Sequence, residues 1–171
     1  YGNALVISQP DASACVHVLD ARCPDLSAAD RSAFLLLAPK SKIENVMADA
    51  TPAQVPERIF GAEPAHDWCY YYQKADLARQ VGDWQGIADL NQQVASLGLH
   101  PNDQIEWMPF LQAAAVLGDE KQVKQISTRI NSVMFYKQQA CQNLRAMSGY
   151  GYPLAPGMDD VVSDLFCGGK P

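Results

Sequence analysis

Five cysteines and three histidines are the residues best able to do chemistry in this 171-residue chain, and their spacing allows two kinds. In an oxidising compartment five cysteines give two bridges and one spare thiol, and in a reducing one they stay five unrelated thiols. Cys69 narrows the choice. At roughly 100° per residue it falls beside Gln73, Asp76 and Gln80, opposite a stripe through Tyr71 and Ala78, a poor place for a free apolar thiol. A cross-link tying the N-terminal segment to that helix accounts for it, with Cys15 the favoured partner and Cys23 the second choice. A Cys141–Cys167 bridge would hold the C-terminal tail in the same way and leave Cys23 over. The other chemistry is a metal site, with Cys15-x-His17 and His66-x-x-Cys69 converging as four zinc ligands. Structural zinc pairs more often read Cys-x-x-Cys, and His66 follows Pro64 at a helix start, so no metal and no cofactor is expected.

The nucleophile and phosphate patterns are missing: the chain holds no Gly-x-Ser-x-Gly, no His-Glu-x-x-His and no phosphate loop, and Gly168-Gly169-Lys170-Pro171 reads as a tail. Paired carboxylates such as Asp119-Glu120 suit the first turn of a helix, where negative charge is favourable. No catalytic residue is expected. What remains is surface. Between residues 66 and 148 lie twelve glutamines and four asparagines, and amides beside aromatics suit uncharged saccharide or peptide ligands because they donate and accept without a charge to desolvate. Trp68, Tyr72, Asp76 and Arg79 fall on one border of the first long helix and form the candidate contact patch. The plainer alternative is aromatic core edges flanked by solvated polar groups.

These residues are positioned by two textures of chain. Residues 1–65 carry Pro10, Pro24, Pro39, Pro52, Pro56 and Pro64, which break any long element into short pieces and loops. Cys15 to Leu19 reads as a short strand or an extended docking segment. Ser27, with Asp30 three residues later, reads as a helix start carrying Phe34 to Leu37 inward until Pro39. From residue 66 to 148 helical periods take over: 67–81 with Trp68, Tyr71, Ala75 and Ala78 inward, extended by Tyr70, Leu77 and Val81, 84–97 with Trp84, Ile87, Leu90, Val94 and Leu97, then 103–117, 120–130 and 132–147. Residues 149–171 form a tail with one short helix over 159–166. Gly82-Asp83 recurs as Gly118-Asp119 thirty-six residues later, with Ala78 matched by Ala114. The expected fold is mainly α: tetratricopeptide-like antiparallel helical hairpins with a loop-rich N-terminal segment packed on them.

Thirteen basic and nineteen acidic residues give a net charge of −6, which argues against a nucleic-acid partner. The longest charge-free apolar run of the first half, Ser32 to Pro39, is far short of the ~20 residues of a membrane span. The chain opens at Tyr1 with no signal-peptide pattern, as expected of a processed product or an excised fragment.

The run from Glu63-Pro64-Ala65-His66-Asp67-Trp68 through Arg79-Gln80, with the following Gly-Asp-Trp, resembles the soluble C-terminal extracytoplasmic region of large multi-pass, glycosyltransferase-like bacterial membrane proteins. Cys15-Val16-His17-Val18-Leu19-Asp20 and Pro24-Asp25-Leu26-Ser27 are similar to the segment that precedes it there. The resemblance covers about the first two-thirds of the chain and carries no catalytic residue onto it. It implies a non-catalytic extracytoplasmic interaction module that contacts a protein partner or the membrane domain of the same chain. The alternative is a ligand-binding accessory domain of a membrane sugar-transfer enzyme, which a deep pocket lined by Trp68 and Tyr72 would favour.

Overall fold

A computed structural model describes residues 4–48 and 55–168; Pro52 and the end of the Gly-Gly-Lys-Pro tail lie outside these residues. The described chain is mainly helical. Two strands, β1 (Ile7–Ser8) and β2 (His17–Val18), pair antiparallel with Ile7 opposite Val18. Short helices α1 (Ala33–Leu37) and α2 (Glu57–Phe60) follow. The long ones are α3 (Trp68–Val81), α4 (Trp84–Ser96), α5 (Met108–Leu117), α6 (Glu120–Ile130) and α7 (Met134–Ala146), and α8 (Met158–Phe166) closes the series.

Two Gly-Asp turns join the long helices in the same way. Gly82 and Gly118 both adopt left-handed backbone, at φ 73° and 80°, a conformation that costs a residue with a Cβ about 1–2 kcal/mol. The next amide, Asp83 or Asp119, donates back to Ala78 or Ala114 at 2.9 Å, the long bond of a Schellman stop. Each aspartate then caps the following helix, accepting from Gly86 N or Gln122 N. One dipeptide therefore stops one helix and starts the next. Tyr152 fills the space over Gly82, where a Cβ would meet its ring at 2.6 Å.

The main core joins all six helices from α3 to α8, through Trp68, Ala75, Ile87, Phe110, Ile126, Leu144 and Phe166 among others. Helix α3 packs on α4 and α5, α5 on α6 and α7, and α8 on α6 and α7. Met158, Val162 and Phe166 of α8 are buried, so this part of the expected tail belongs to the core. A second, smaller core lies wholly in the N-terminal lobe: Leu19, Leu26 and Ala38, with Val6 and Phe34 against them.

The expectation for Phe34 to Leu37 needs correction. Ser27 and Asp30 do form a local turn, Asp30 Oδ2 accepting from Ser27 N at 2.9 Å, but the helix begins only at Ala33. One helical turn has one inward side, which Phe34 and Ala38 occupy at i, i+4 spacing. Leu35, Leu36 and Leu37 are exposed, by 57%, 78% and 48%, and so are Val81 and Leu97, where α3 and α4 end and no described neighbour covers the stripe.

Candidate functional site

The site lies where the N-terminal lobe meets the helices. Trp68, Tyr72, Asp76 and Arg79 do stand along one border of α3, but they are not an outward patch: all four are buried, Asp76 at 5% exposure and Arg79 at 8%. A helix wheel shows one apolar stripe and assigns the rest to solvent, whereas here a second layer of chain covers the polar side. The partner of the patch is the chain's own residues 15–28.

The first cluster centres on Glu106, in the 3-10 turn Gln104–Trp107 that leads into α5. Its side chain is fully enclosed. Oε1 accepts from Cys15 N at 2.8 Å and faces His17 Nε2 at 3.2 Å, while Oε2 accepts from Trp68 Nε1 at 2.7 Å. A buried carboxylate is tolerable only with donors on its lone pairs, and these three supply them. Burial pushes the His17 imidazole down, but the hydrogen bond and charge of Glu106 outweigh it and hold it above its ordinary value. His17 also meets the edge of Tyr72, ring centres 5.4 Å apart. Beside this cluster Cys15 and Cys69 stand at disulfide distance, 2.13 Å between sulfurs. Cys141 and Cys167 stand likewise at 2.09 Å, joining α7 to the end of α8.

The second cluster centres on Arg79. Its guanidinium pairs with Asp25 of the N-terminal lobe and with Asp76 one turn back on α3, and donates to Gln112 Oε1 at 3.2 Å. Asn143 Nδ2 donates to the other oxygen of Asp25 at 2.7 Å. Burial pulls Arg79 down, yet Asp25 and Asp76 outweigh it and raise it well above its ordinary value, so it stays charged. Burial pushes the Asp25 carboxyl up, against the pull of Arg79. Asp25 takes φ 45°, a left-handed conformation that aspartate and asparagine tolerate better than other side chains.

Next along the lobe, Gln139 reads main chain directly. It accepts from Leu26 N and donates to Leu26 O, both at 2.8 Å, and Tyr136 Oη accepts from Ala28 N at 2.9 Å. Of the amides expected to face a ligand, Gln139 and Asn143 are buried and hold the N-terminal lobe, while others such as Gln73, Gln85 and Gln92 are exposed.

The residues weighed as zinc ligands divide. Cys15 and Cys69 pair with each other, His17 turns to Glu106, and His66 is exposed, bonded to Glu63 at 2.7 Å and stacked on Tyr70. Among the described residues no group of histidine, cysteine and acid side chains could hold a metal. Trp68 and Arg79 border different hollows. The Trp68 hollow is an open depression of about 320 Å³ that also takes in Ser13, Cys69 and His100. The Arg79 hollow, about 20 Å³ between Cys23, Trp84, Gln112 and Tyr152, admits nothing larger than a water molecule. Cys23 is the free cysteine; burial pushes its thiol up to about 12, which makes it a poor nucleophile.

Glu106, Asp25, Gln112, Gln139 and Asn143 were missed from sequence, though signals existed. Glu106 interrupts the apolar run Ile105–Leu111, and Gln139 and Asn143 continue, at helical spacing, the buried face begun by Tyr136.

No protein-family model matches the chain, and no curated protein or solved structure is significantly similar to it. The functional reading therefore rests on the residues.

Proposed function

We propose that the chain is a non-catalytic, extracytoplasmic interaction module of a bacterial membrane protein, built of tetratricopeptide-like helical hairpins, that contacts a protein partner or the membrane domain of the same polypeptide. The observation that carries this reading is the use made of the polar face. Side chains of α3, the turn before α5 and α7 converge on a non-helical stretch of polypeptide and hold its main chain and one aspartate. That is the chemistry of polypeptide recognition. Among the described residues Trp68 and Tyr72 share no hollow: Trp68 borders the open depression of about 320 Å³, and Tyr72 is buried.

Further support comes from the surface and the cysteines. Leu35 and Phe135 border a hollow of about 290 Å³ with Leu26 and Ala28, beside exposed Leu36, and exposed apolar groups clustered this way suit protein contacts. Two cysteine pairs at disulfide distance suit an oxidising compartment. Among the described residues no helix is long and apolar enough to cross a membrane.

The test is site-specific photo-crosslinking in the host, with the probe at Leu36 and, as control, at exposed Gln85. A discrete protein adduct from Leu36 alone is the expected result. Titration of neutral oligosaccharides by calorimetry is the counter-test: saturable binding there, with no adduct at Leu36, would replace this reading with the saccharide-binding one.

A further inference from the structure

The N-terminal lobe has the marks of a docked unit. It has its own small core and its own two-stranded sheet, and it closes on itself through Lys42 N to Ala4 O at 2.9 Å and Val6 N to Ser41 Oγ at 3.1 Å. Toward the helices it presents chiefly polar contacts, and of its described residues Cys15 alone enters the main core. Interfaces of that kind resemble transient protein contacts more than a continuous interior. The helices α3 to α8, by contrast, share one core to which the described lobe residues add only Cys15.

The anchors are laid out along a single stretch. Glu106 takes the amide of Cys15, Arg79 and Asn143 take the carboxylate of Asp25, Gln139 takes both main-chain groups of Leu26, and Tyr136 takes the amide of Ala28. Ser27 is 2% exposed, its hydroxyl 3.4 Å from Tyr136 Oη. The main-chain contacts would accept any sequence, whereas the buried guanidinium demands an acid at one position and the enclosed hydroxyl site a small residue two places on.

We infer that the polar face formed by α3, the turn before α5 and α7 is a binding site for a non-helical acidic polypeptide segment of the pattern Asp-aliphatic-Ser, occupied in this chain by its own residues 15–28 and open to the same chemistry supplied in trans. The inference rests on the reading of the chain as a protein-contact module and names the class of segment it binds. The Cys15–Cys69 pair sets the competition: closed, it keeps the resident segment at high effective concentration, and its absence lets an outside segment compete.

The test uses the full chain carrying Cys15→Ser and Cys69→Ser, which leaves Cys141 and Cys167 in place. Hydrogen exchange is expected to show the amides of residues 15, 26 and 28 opening at least ~10-fold more readily than those of α3 to α8. A labelled synthetic peptide of residues 12–30, with C15S and C23S, is expected to bind this variant saturably and the disulfide-closed chain at least ~10-fold more weakly. The same peptide with Asp25→Asn is expected to bind about 100-fold more weakly, because it leaves Arg79 short of one buried carboxylate. Loss of the helices together with the lobe, the absence of peptide binding, or equal binding of the Asp25→Asn peptide would each overturn the inference. A Leu36 adduct that persists through those failures would leave the interaction-module reading standing.

Discussion

Replacing Glu106 with glutamine keeps the shape of a fully enclosed side chain and removes its charge. The carboxylate accepts from Cys15 N and Trp68 Nε1 and faces His17 Nε2. An amide has one oxygen, so its NH₂ group must face one of those donors. An unsatisfied buried donor costs about 1–3 kcal/mol, and hydrogen bonds to a charged group are worth about 1.5–3 kcal/mol each. Relief from burying a charge offsets part of that. The expected loss is about 2–4 kcal/mol at pH 7. The pH dependence is the sharper readout. His17 is held above its ordinary 6.5 by Glu106 against the opposing effect of burial. A base raised in the folded state contributes stability fully below its unfolded pKa and loses it as pH rises through its folded pKa. Urea unfolding followed by far-ultraviolet circular dichroism from pH 5.5 to 8.5 should therefore show the native chain gaining stability toward pH 6, and Glu106→Gln losing most of that slope. An unchanged slope, or a loss below about 0.5 kcal/mol, would refute this account of the cluster.

Three other outcomes follow from the geometry. Maleimide should leave Cys23 unlabelled in the native, unreduced chain, label one thiol after unfolding and five after unfolding with reduction, since burial holds that thiol at about 12; mass spectrometry reads the count, and native labelling would show the thiol to be open. Gly82→Ala should cost about 2 kcal/mol or more in thermal or urea unfolding, because left-handed strain adds to the clash with Tyr152. Gly98→Ala, at φ 66° with open space around it, should cost only the strain, about 1 kcal/mol, so equal losses would discount the Tyr152 contact. Cys141→Ser with Cys167→Ser opens a link 26 residues apart in sequence and should cost about 3 kcal/mol by loop entropy, with no change in the exchange of the Leu26 amide, because the lobe does not depend on that link.

Much of the helical core was legible in the sequence because its signals are local. Gly82-Asp83 and Gly118-Asp119 stop and start helices through bonds that span only a few residues, and the period of Trp84, Ile87 and Val94 follows from one helix packing one side. The Cys15–Cys69 pair was also favoured from sequence, on the argument that an apolar thiol on the polar side of α3 needed a cover. A layer of chain that covers the thiol also covers Asp76 and Arg79 along the same border, whereas a helix wheel, which places one helix against one neighbour, leaves them to solvent. Leu35 to Leu37 failed for the opposite reason: apolar type suggested burial, but a five-residue helix lacks the length to turn more than one side inward.

The long helices from residue 68 onward, their glycine stops and the proline-rich break between two kinds of chain are readable in the sequence, since each depends on backbone preferences and near neighbours. Only the tertiary structure decided that Asp25, 54 residues before Arg79 and 118 before Asn143, meets both, and that Glu106 meets Cys15 across 91 residues. A buried charge leaves at most a local trace, as Glu106 does by interrupting Ile105–Leu111, and that trace does not name its partners, which the fold brings from elsewhere. The function proposed here lives in those pairings, which is why the residues of the site could be named in part from sequence while what they hold could not.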